Sequence, residues 1–412
     1  MDRRYGEEGK YGIGGGGIVS EESQRNLEIA EDLCRKGRPN DAVSYLKIAL
    51  NDRNNFDAEI QMAYLSPDLL FSVEVLESAE KRGLDAPDPT GNSESLIRIP
   101  GIARDLLINR LGAECFDDDG PCVGKFCDTG LLLTRPYMRV LQALVRMCFE
   151  TKQYEKGCRT IIEMLRLSPG DNLNQRWWLA PLLIRTGRFS DALFFCQVWI
   201  HSVAKGGGIP IRGGTAFQAP SDTLLIPETE EEYARTAGCG MAHNAALAAF
   251  KLWGPSPQAA QFLHIAARTN PGILAKIIGR RGRPTEGKLA MHTSFNGTDE
   301  AHDYLWVAQD LWMAPDVWAW VNENSTVAAV ILKCCSRLEC PAQETEATQF
   351  KRCGACQQVV YCSSTCQKAD WKKHKPECAR QVEAKKNMKN LWKNKPPIVP
   401  VYVLDGKEVH NV

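Results

Sequence analysis

The 412-residue sequence has no run of 18 apolar residues, so it offers no candidate for a membrane-spanning helix. It also lacks net charge. Fifty Lys and Arg balance fifty Asp and Glu, which removes any whole-chain attraction to nucleic acid. The start, Met1-Asp2-Arg3-Arg4-Tyr5-Gly6-Glu7-Glu8, has no apolar segment of the secretory kind, so the expectation is a cytoplasmic and/or nuclear chain. The familiar catalytic signatures are missing as well. There is no Ser-His-Asp constellation, no Gly-rich phosphate loop opening a helix, and no His-Glu-x-x-His. Histidine is scarce, at seven residues, but cysteine is not, at 16. With 44% hydrophobic and 24% charged residues the composition is that of an ordinary globular protein, with room for two or three domains.

Half of the cysteine interest sits in one place. The sequence reads Cys335-x4-Cys340, Cys353-x2-Cys356, Cys362-x3-Cys366 and His374-x3-Cys378. Four pairs make eight ligands, enough for two tetrahedral Zn(2+) ions with none left over. Thiolate and imidazole suit zinc, and a filled set of four marks a structural site with no open position for catalysis. Cys334 competes with Cys335 as first ligand. Cys335 is preferred, because Cys334 would stand six positions from Cys340. Cys362 and Cys366, like His374 and Cys378, are four apart, which on a helix places both members on one face. A disulfide framework does not suit a cytosolic or nuclear chain.

This spacing resembles the MYND zinc finger. Val360-Tyr361-Cys362, Cys366-Gln367 and Trp371-Lys372-Lys373-His374 look like that family's second half, although the first pair is x4 where many members have x2. The resemblance implies a cross-brace. Cys335, Cys340, Cys362 and Cys366 would share one zinc, and Cys353, Cys356, His374 and Cys378 the other. It also implies recognition of proline-rich peptides of the form Pro-x-Leu-x-Pro, with Gln367 and Trp371 in the pocket. Gly354 stands where some peptide-binding members carry a serine. A small finger with two metals compensates for a core too small to fold alone.

Upstream, residues 21–330 are expected to form a mainly α domain. Turn segments recur at Gly37-Arg38-Pro39-Asn40-Asp41-Ala42, Lys152-Gln153-Tyr154-Glu155-Lys156-Gly157, Gly187-Arg188-Phe189-Ser190-Asp191-Ala192 and Gly254-Pro255-Ser256-Pro257-Gln258-Ala259. The shared grammar is a turn glycine (replaced by Lys152 in one copy), a small residue five positions on, a second slim residue seven later (Ala49, Ala266) and a helix-ending proline (Pro169, Pro271). It resembles the tetratricopeptide (TPR) unit of about 34 residues. The alternative is a helical domain without a superhelical groove. The expected organisation is therefore a Gly-rich tail at 1–20, a TPR-like helical domain at 21–330, the finger at 335–378, and a basic, proline-containing tail at 379–412. Long loops are expected at 84–130 and 203–227.

Other features carry less. Cys115, Cys122 and Cys127 flank Asp117-Asp118-Asp119-Gly120, but this stretch lacks the alternate spacing and final Glu of a calcium loop, so a solvated loop is expected. Four tryptophans between Trp306 and Trp320 read as an aromatic core more readily than as a ligand cage. MYND fingers also occur beside SET methyltransferase domains, but His243-Asn244 is in the reverse order of the SET signature and lies in an Ala-rich helical run. The single histidine is the seventh ligand, which does not fit a RING. Residues 334–378 hold seven basic and five acidic side chains; two zincs add four charges and seven thiolates remove seven, leaving −1. Nucleic acid is therefore an unfavoured partner. The reading is a zinc-binding, non-catalytic adaptor for proline-rich peptides, with a nuclear transcriptional co-regulator as alternative and a MYND-associated methyltransferase less favoured. Pro396-Pro397-Ile398-Val399-Pro400 is Pro-x-Ile-x-Pro, a near copy of such a peptide and a candidate to mask the finger.

Overall fold

A computed structural model describes residues 19–84, 134–287, 295–393, 401–404 and 407–410. The Gly-rich start, the Cys115–Cys127 stretch and Pro396–Pro400 lie outside the described residues. The chain divides into two compact units after Pro220.

Among the described residues of the first unit, eight α-helices follow one another: α1 (Glu21–Arg35), α2 (Pro39–Ala49), α3 (Phe56–Leu65), α4 (Leu69–Leu84), α5 (Arg135–Glu150), α6 (Tyr154–Leu167), α7 (Arg176–Arg185) and α8 (Phe189–Ala204). Each packs against its sequence neighbour. Three of the four recurrent turns share one geometry. Gly37, Lys152 and Gly187 all take left-handed backbone, with φ of 72°, 60° and 77°. The next N–H in each then donates back to a carbonyl five residues earlier: Arg38 to Leu33 at 2.9 Å, Gln153 to Cys148 at 2.8 Å, Arg188 to Leu183 at 2.9 Å. This is a helix stop in which left-handed backbone redirects otherwise orphaned carbonyls, and glycine suits it because it has no Cβ. Lys152 adopts the same shape at a steric cost.

Five positions beyond each turn, Ala42, Gly157, Ala192 and Ala259 are all buried. A Cβ on Gly157 would meet Leu182 Cδ1 at 3.1 Å, so helices approach closely there. The later slim position holds in only two copies. Met164 and Trp199 occupy it in the others, both buried. Trp199 is accommodated because its Nε1 donates to the Gly213 carbonyl at 2.9 Å, in a 3-10 turn (Ile211–Gly214) that fills the space. That turn also interrupts the expected 203–227 loop.

The core of this unit is apolar, with Leu27, Leu46, Ile60, Leu76, Leu141 and Leu144 fully buried. Two polar groups inside it, Asn55 and Asp57, are paired. Asn55 caps α3 by accepting from the Ala58 N–H at 3.1 Å and donates to Ser23 Oγ at 2.8 Å. Arg139 on α5 clamps the buried Asp57 on α3 through two bonds of 2.8 Å.

The second unit begins with α9 (Pro227–Thr236), α10 (Cys239–Trp253), α11 (Pro257–Thr269), α12 (Pro271–Ile278), α13 (Thr298–Trp312), α14 (Pro315–Asn322) and α15 (Ser325–Ile331). Proline at the first turn of α9, α11, α12 and α14 costs no hydrogen bond, since those N–H groups have no helical partner. Pro271 both ends α11 and opens α12. The tryptophans form core. Trp306 and Trp312 are buried, Trp320 stacks on Phe250 at 4.4 Å, and Trp318 Nε1 donates to the Ile277 carbonyl at 3.2 Å. They tie α13 and α14 to α10 and α12. His243 and Asn244 are buried in α10, with Asn244 accepting from the Tyr304 hydroxyl at 3.2 Å.

The rest of this unit is a short antiparallel pair, β1 (Lys351–Arg352) with β2 (Val360–Tyr361), and a 30-residue helix, α16 (Ser364–Lys393). The basic tail is therefore helical as far as Lys393. A terminal hairpin, β3 (Val401–Leu404) with β4 (Lys407–His410), belongs to the first unit. No helix among the described residues is long and apolar enough to cross a membrane.

Candidate metal centre

The finger is held open by backbone bonds before any metal is considered. Cys335 N–H donates to the Ala342 carbonyl at 2.8 Å, and Ser336 N–H to Val360 at 2.9 Å. Cys353 N–H donates to Val359 at 2.9 Å, closing the loop that carries Cys353 and Cys356. Gln357, with φ of 60°, turns the chain away after Cys356 and returns its N–H to the Cys353 carbonyl at 3.0 Å. Strand β2 delivers the chain to Cys362, and α16 carries Cys366, His374 and Cys378 along one side.

These elements bring eight side chains together in two sets of four. Cys335, Cys340, Cys362 and Cys366 form one; Cys353, Cys356, His374 and Cys378 form the other. The sets interleave along the chain, first pair with third and second with fourth. Every ligand atom lies within 4.8 Å of the others in its set. Cys334 is exposed, whereas Cys335 is buried in the first set. One residue of register along the bridge between Cys334 and Gln343 turns the Cys334 side chain outward.

The fit to zinc can be checked on distances. A tetrahedron with Zn–S of about 2.3 Å has S–S edges of about 3.8 Å, and a Zn–N of about 2.0 Å shortens the mixed edge to about 3.5 Å. The structure gives 3.7 Å for Cys340–Cys362, 3.5 Å for Cys362–Cys366 and 3.8 Å for Cys353–Cys378. Cys356 Sγ to His374 Nε2 is 3.5 Å. One donor set is all cysteine and the other is three cysteines with a histidine. Both sets and their edges match structural zinc ions, with all four positions of each supplied by protein.

Electrostatics around the sites are local. Burial raises the Cys353 thiol, but the backbone N–H groups of Cys356 and Ala355, with His374 nearby, outweigh it and bring the thiol down to about 6. Burial and the Asp370 carboxylate both raise the Tyr361 phenol, whose hydroxyl donates to Asp370 Oδ2 at 2.7 Å. Lys373 bonds Glu339 at 2.9 Å and, with Arg337, draws that carboxylate down to about 2. This pair fastens the loop of the first site to α16.

Some contributors carry no spacing signal. Glu344 is 3% exposed, and its two oxygens accept from the Lys333 and Phe350 N–H groups at 2.9 and 2.8 Å, folding residues 333–350 onto themselves. Lys385 Nζ donates to the Cys356 carbonyl at 2.6 Å, so α16 supports the second site beyond its last ligand. Both lie within ordinary-looking polar sequence. The peptide-site candidates share α16. Trp371 is 42% exposed, with its ring 6.0 Å from that of His374, and Gln367 is half-buried one turn earlier.

Residues 333–378 match the model of the MYND finger, and the paired clusters are those of such a finger. The chain resembles an F-box protein of Arabidopsis thaliana at 43% identity over 60 residues, 14% of this chain and 18% of the relative. A SET domain-containing protein of Caenorhabditis elegans is 53% identical over 34 residues, 8% of each chain. Histone-lysine N-methyltransferase ASHR1 of Arabidopsis thaliana is 41% identical over 46 residues, 11% of this chain and 10% of the relative. The chain thus spans less than a fifth of the length of these relatives. No solved structure matches it. The finger is a zinc-binding module for protein–protein interaction, and it forms part of a mainly helical chain.

Proposed function

We propose that this protein is a non-catalytic adaptor whose finger docks proline-rich peptides of the Pro-x-Leu-x-Pro kind. The observation that carries this reading is the closure of both metal sites. Each has four protein donors, so the metals hold the fold and leave no position for a substrate or water. What remains for function is surface, and the exposed Trp371 beside Gln367 is the apolar part of that surface on α16. An extended peptide gains backbone hydrogen bonds at a sheet edge and specificity from side-chain pockets. The β1–β2 pair is short and has such an edge.

The names of the relatives support a module rather than a chemistry. Stretches of similar sequence recur in proteins named for an F-box and for a SET domain. Among the described residues, His243 and Asn244 are buried in α10, so this pair does not support a SET-type site there. The helical hairpins would add a second, TPR-like surface. An adaptor of this kind would act in the cytoplasm or nucleus, as a transcriptional co-regulator in the latter case.

The test is a titration of the full chain with a labelled Pro-x-Leu-x-Pro peptide, with and without Trp371→Ala. Micromolar binding that the substitution abolishes supports the reading. Equal binding by both proteins, or micromolar binding of S-adenosylmethionine, overturns it.

A further inference from the structure

The charges on α16 are sorted by face. Its acidic residues near the finger, Asp370 and Glu377, stand three before and four after Lys373, and Glu339 bonds Lys373 directly. Asp370 is further engaged by the Tyr361 hydroxyl, and Glu377 by Arg380 and Gln381. That face is neutralised. Lys368, Lys372 and Lys375 follow one another at +4 and +3, the spacing that keeps residues on one helix face. All three are exposed. No position three or four away from any of them holds an Asp or Glu. Three like charges within two turns repel one another and cost the helix some stability. A partner's anions would remove that cost.

Trp371 belongs to the same face. It is three positions after Lys368 and four before Lys375, and it follows Gln367 by four. Whatever lies across Trp371 therefore lies within reach of the lysines. The triad rises about 10 Å along the helix, and alternate residues of an extended peptide are about 6.6 Å apart. Two or three carboxylates flanking a short docking motif match this span.

Building on the proposed peptide site, we infer that the finger selects proline-rich motifs with acidic flanks, Lys368, Lys372 and Lys375 reading the carboxylates beside Trp371. A nucleic acid is the weaker occupant. Residues 334–378 with their two metals sum to −1, so a long polyanion tracking past the triad meets thiolate charge, whereas a short acidic segment needs only the triad.

The experiment measures fluorescence anisotropy of the zinc-loaded full chain with three peptides sharing one Pro-x-Leu-x-Pro core. Their flanks are acidic, neutral or basic, and unlabelled single-stranded RNA and duplex DNA serve as competitors. At low salt the acidic-flanked peptide should bind about tenfold tighter than the neutral one, as three exposed ion pairs allow, and the gain should shrink with salt. The triple variant K368Q/K372Q/K375Q should lose that gain and keep its affinity for the neutral peptide. The charge-reversed K368E/K372E/K375E should prefer basic flanks, which also shows that it is folded. Equal affinity for acidic and neutral flanks overturns the inference and leaves the peptide site standing. Displacement of the acidic peptide by oligonucleotide at lower concentration than by unlabelled acidic peptide overturns it in favour of nucleic acid. Failure of all three peptides to bind overturns both readings.

Discussion

The first helical unit and the finger bury different things. In the helices the fully buried side chains are Leu27, Leu46, Ile60, Leu76, Leu141 and Leu144, carried by well-separated helices and brought together by packing. In the finger the buried clusters are Cys335, Tyr361 and Cys366, and Cys353, Cys356 and Cys378. An apolar core stabilises in proportion to area removed from water, and the finger has little such area. Thiolates replace it, and thiolates packed together without a cation would repel. The first unit should therefore be stable by itself and fail gradually under substitution. The finger should fail all at once when its metal leaves.

The largest effect that would break this contrast is metal removal. The purified chain should hold two zinc ions by elemental analysis, each contributing on the order of 10 kcal/mol to folding of the finger. Chelation, or Cys353→Ser, should abolish hydrogen-exchange protection in residues 333–378 while leaving α1–α8 protected. Joint loss of protection in both regions would show that the contrast is false.

Next comes the buried ion pair of the first unit. Asp57→Ala leaves the Arg139 guanidinium buried without its carboxylate and should cost about 3–5 kcal/mol in denaturant unfolding of that unit. Zinc content should not change.

A smaller effect concerns acid. Burial, partly opposed by the hydrogen bond to the Cys239 carbonyl, lowers His243 from 6.5 to about 4. Its Nδ1 donates to that carbonyl at 2.7 Å, and Nε2 is buried without a hydrogen-bond partner. The native state therefore refuses a proton that the unfolded chain accepts. Stability of α10 and α13 should be constant above about pH 6.5 and fall by up to about 1.4 kcal/mol per unit between 6.5 and 4, then level off. His243→Gln should remove that part of the slope in hydrogen exchange of these helices.

Smaller again are the turns. Gly187→Ala should destabilise the first unit by about 1 kcal/mol, because an alanine resists φ of 77°. Lys152→Gly should stabilise it by a similar or slightly smaller amount for the same reason in reverse. Thermal unfolding of both variants checks the pair. The smallest effect on stability belongs to Trp371→Ala, which should leave melting unchanged within about 0.5 kcal/mol while abolishing peptide binding.

How much of this was legible varied with the kind of force involved. The four turns could be read because left-handed backbone and close helix approach restrict the residue at a fixed offset, as at Gly37 with Ala42 and Gly187 with Ala192. Lys152 shows the limit: the turn forms without the glycine because the helices on either side demand it. The slim position beyond failed at Trp199, since a residue of any size fits if another segment is shaped around it. The tryptophans near α13 were legible as core by mass alone, but their partners, Phe250 and the Ile277 carbonyl, were not.

The sequence by itself determined the metals. Ligand chemistry is local and discrete, so eight side chains at short, fixed spacings state the donor set and the number of ions. The pairing into an interleaved brace entered through resemblance, and the geometry of the two sets then supplied it from distances. Only the tertiary structure decided between Cys334 and Cys335, because one residue of register turns a side chain from solvent to site. It alone revealed Glu344 and Lys385, whose hydrogen bonds to backbone elsewhere in the finger leave no periodic trace. It alone also separated the neutralised face of α16 from the lysine face beside Trp371, because charge balance is a property of neighbours in space, and Glu339 reaches Lys373 across 34 residues of chain.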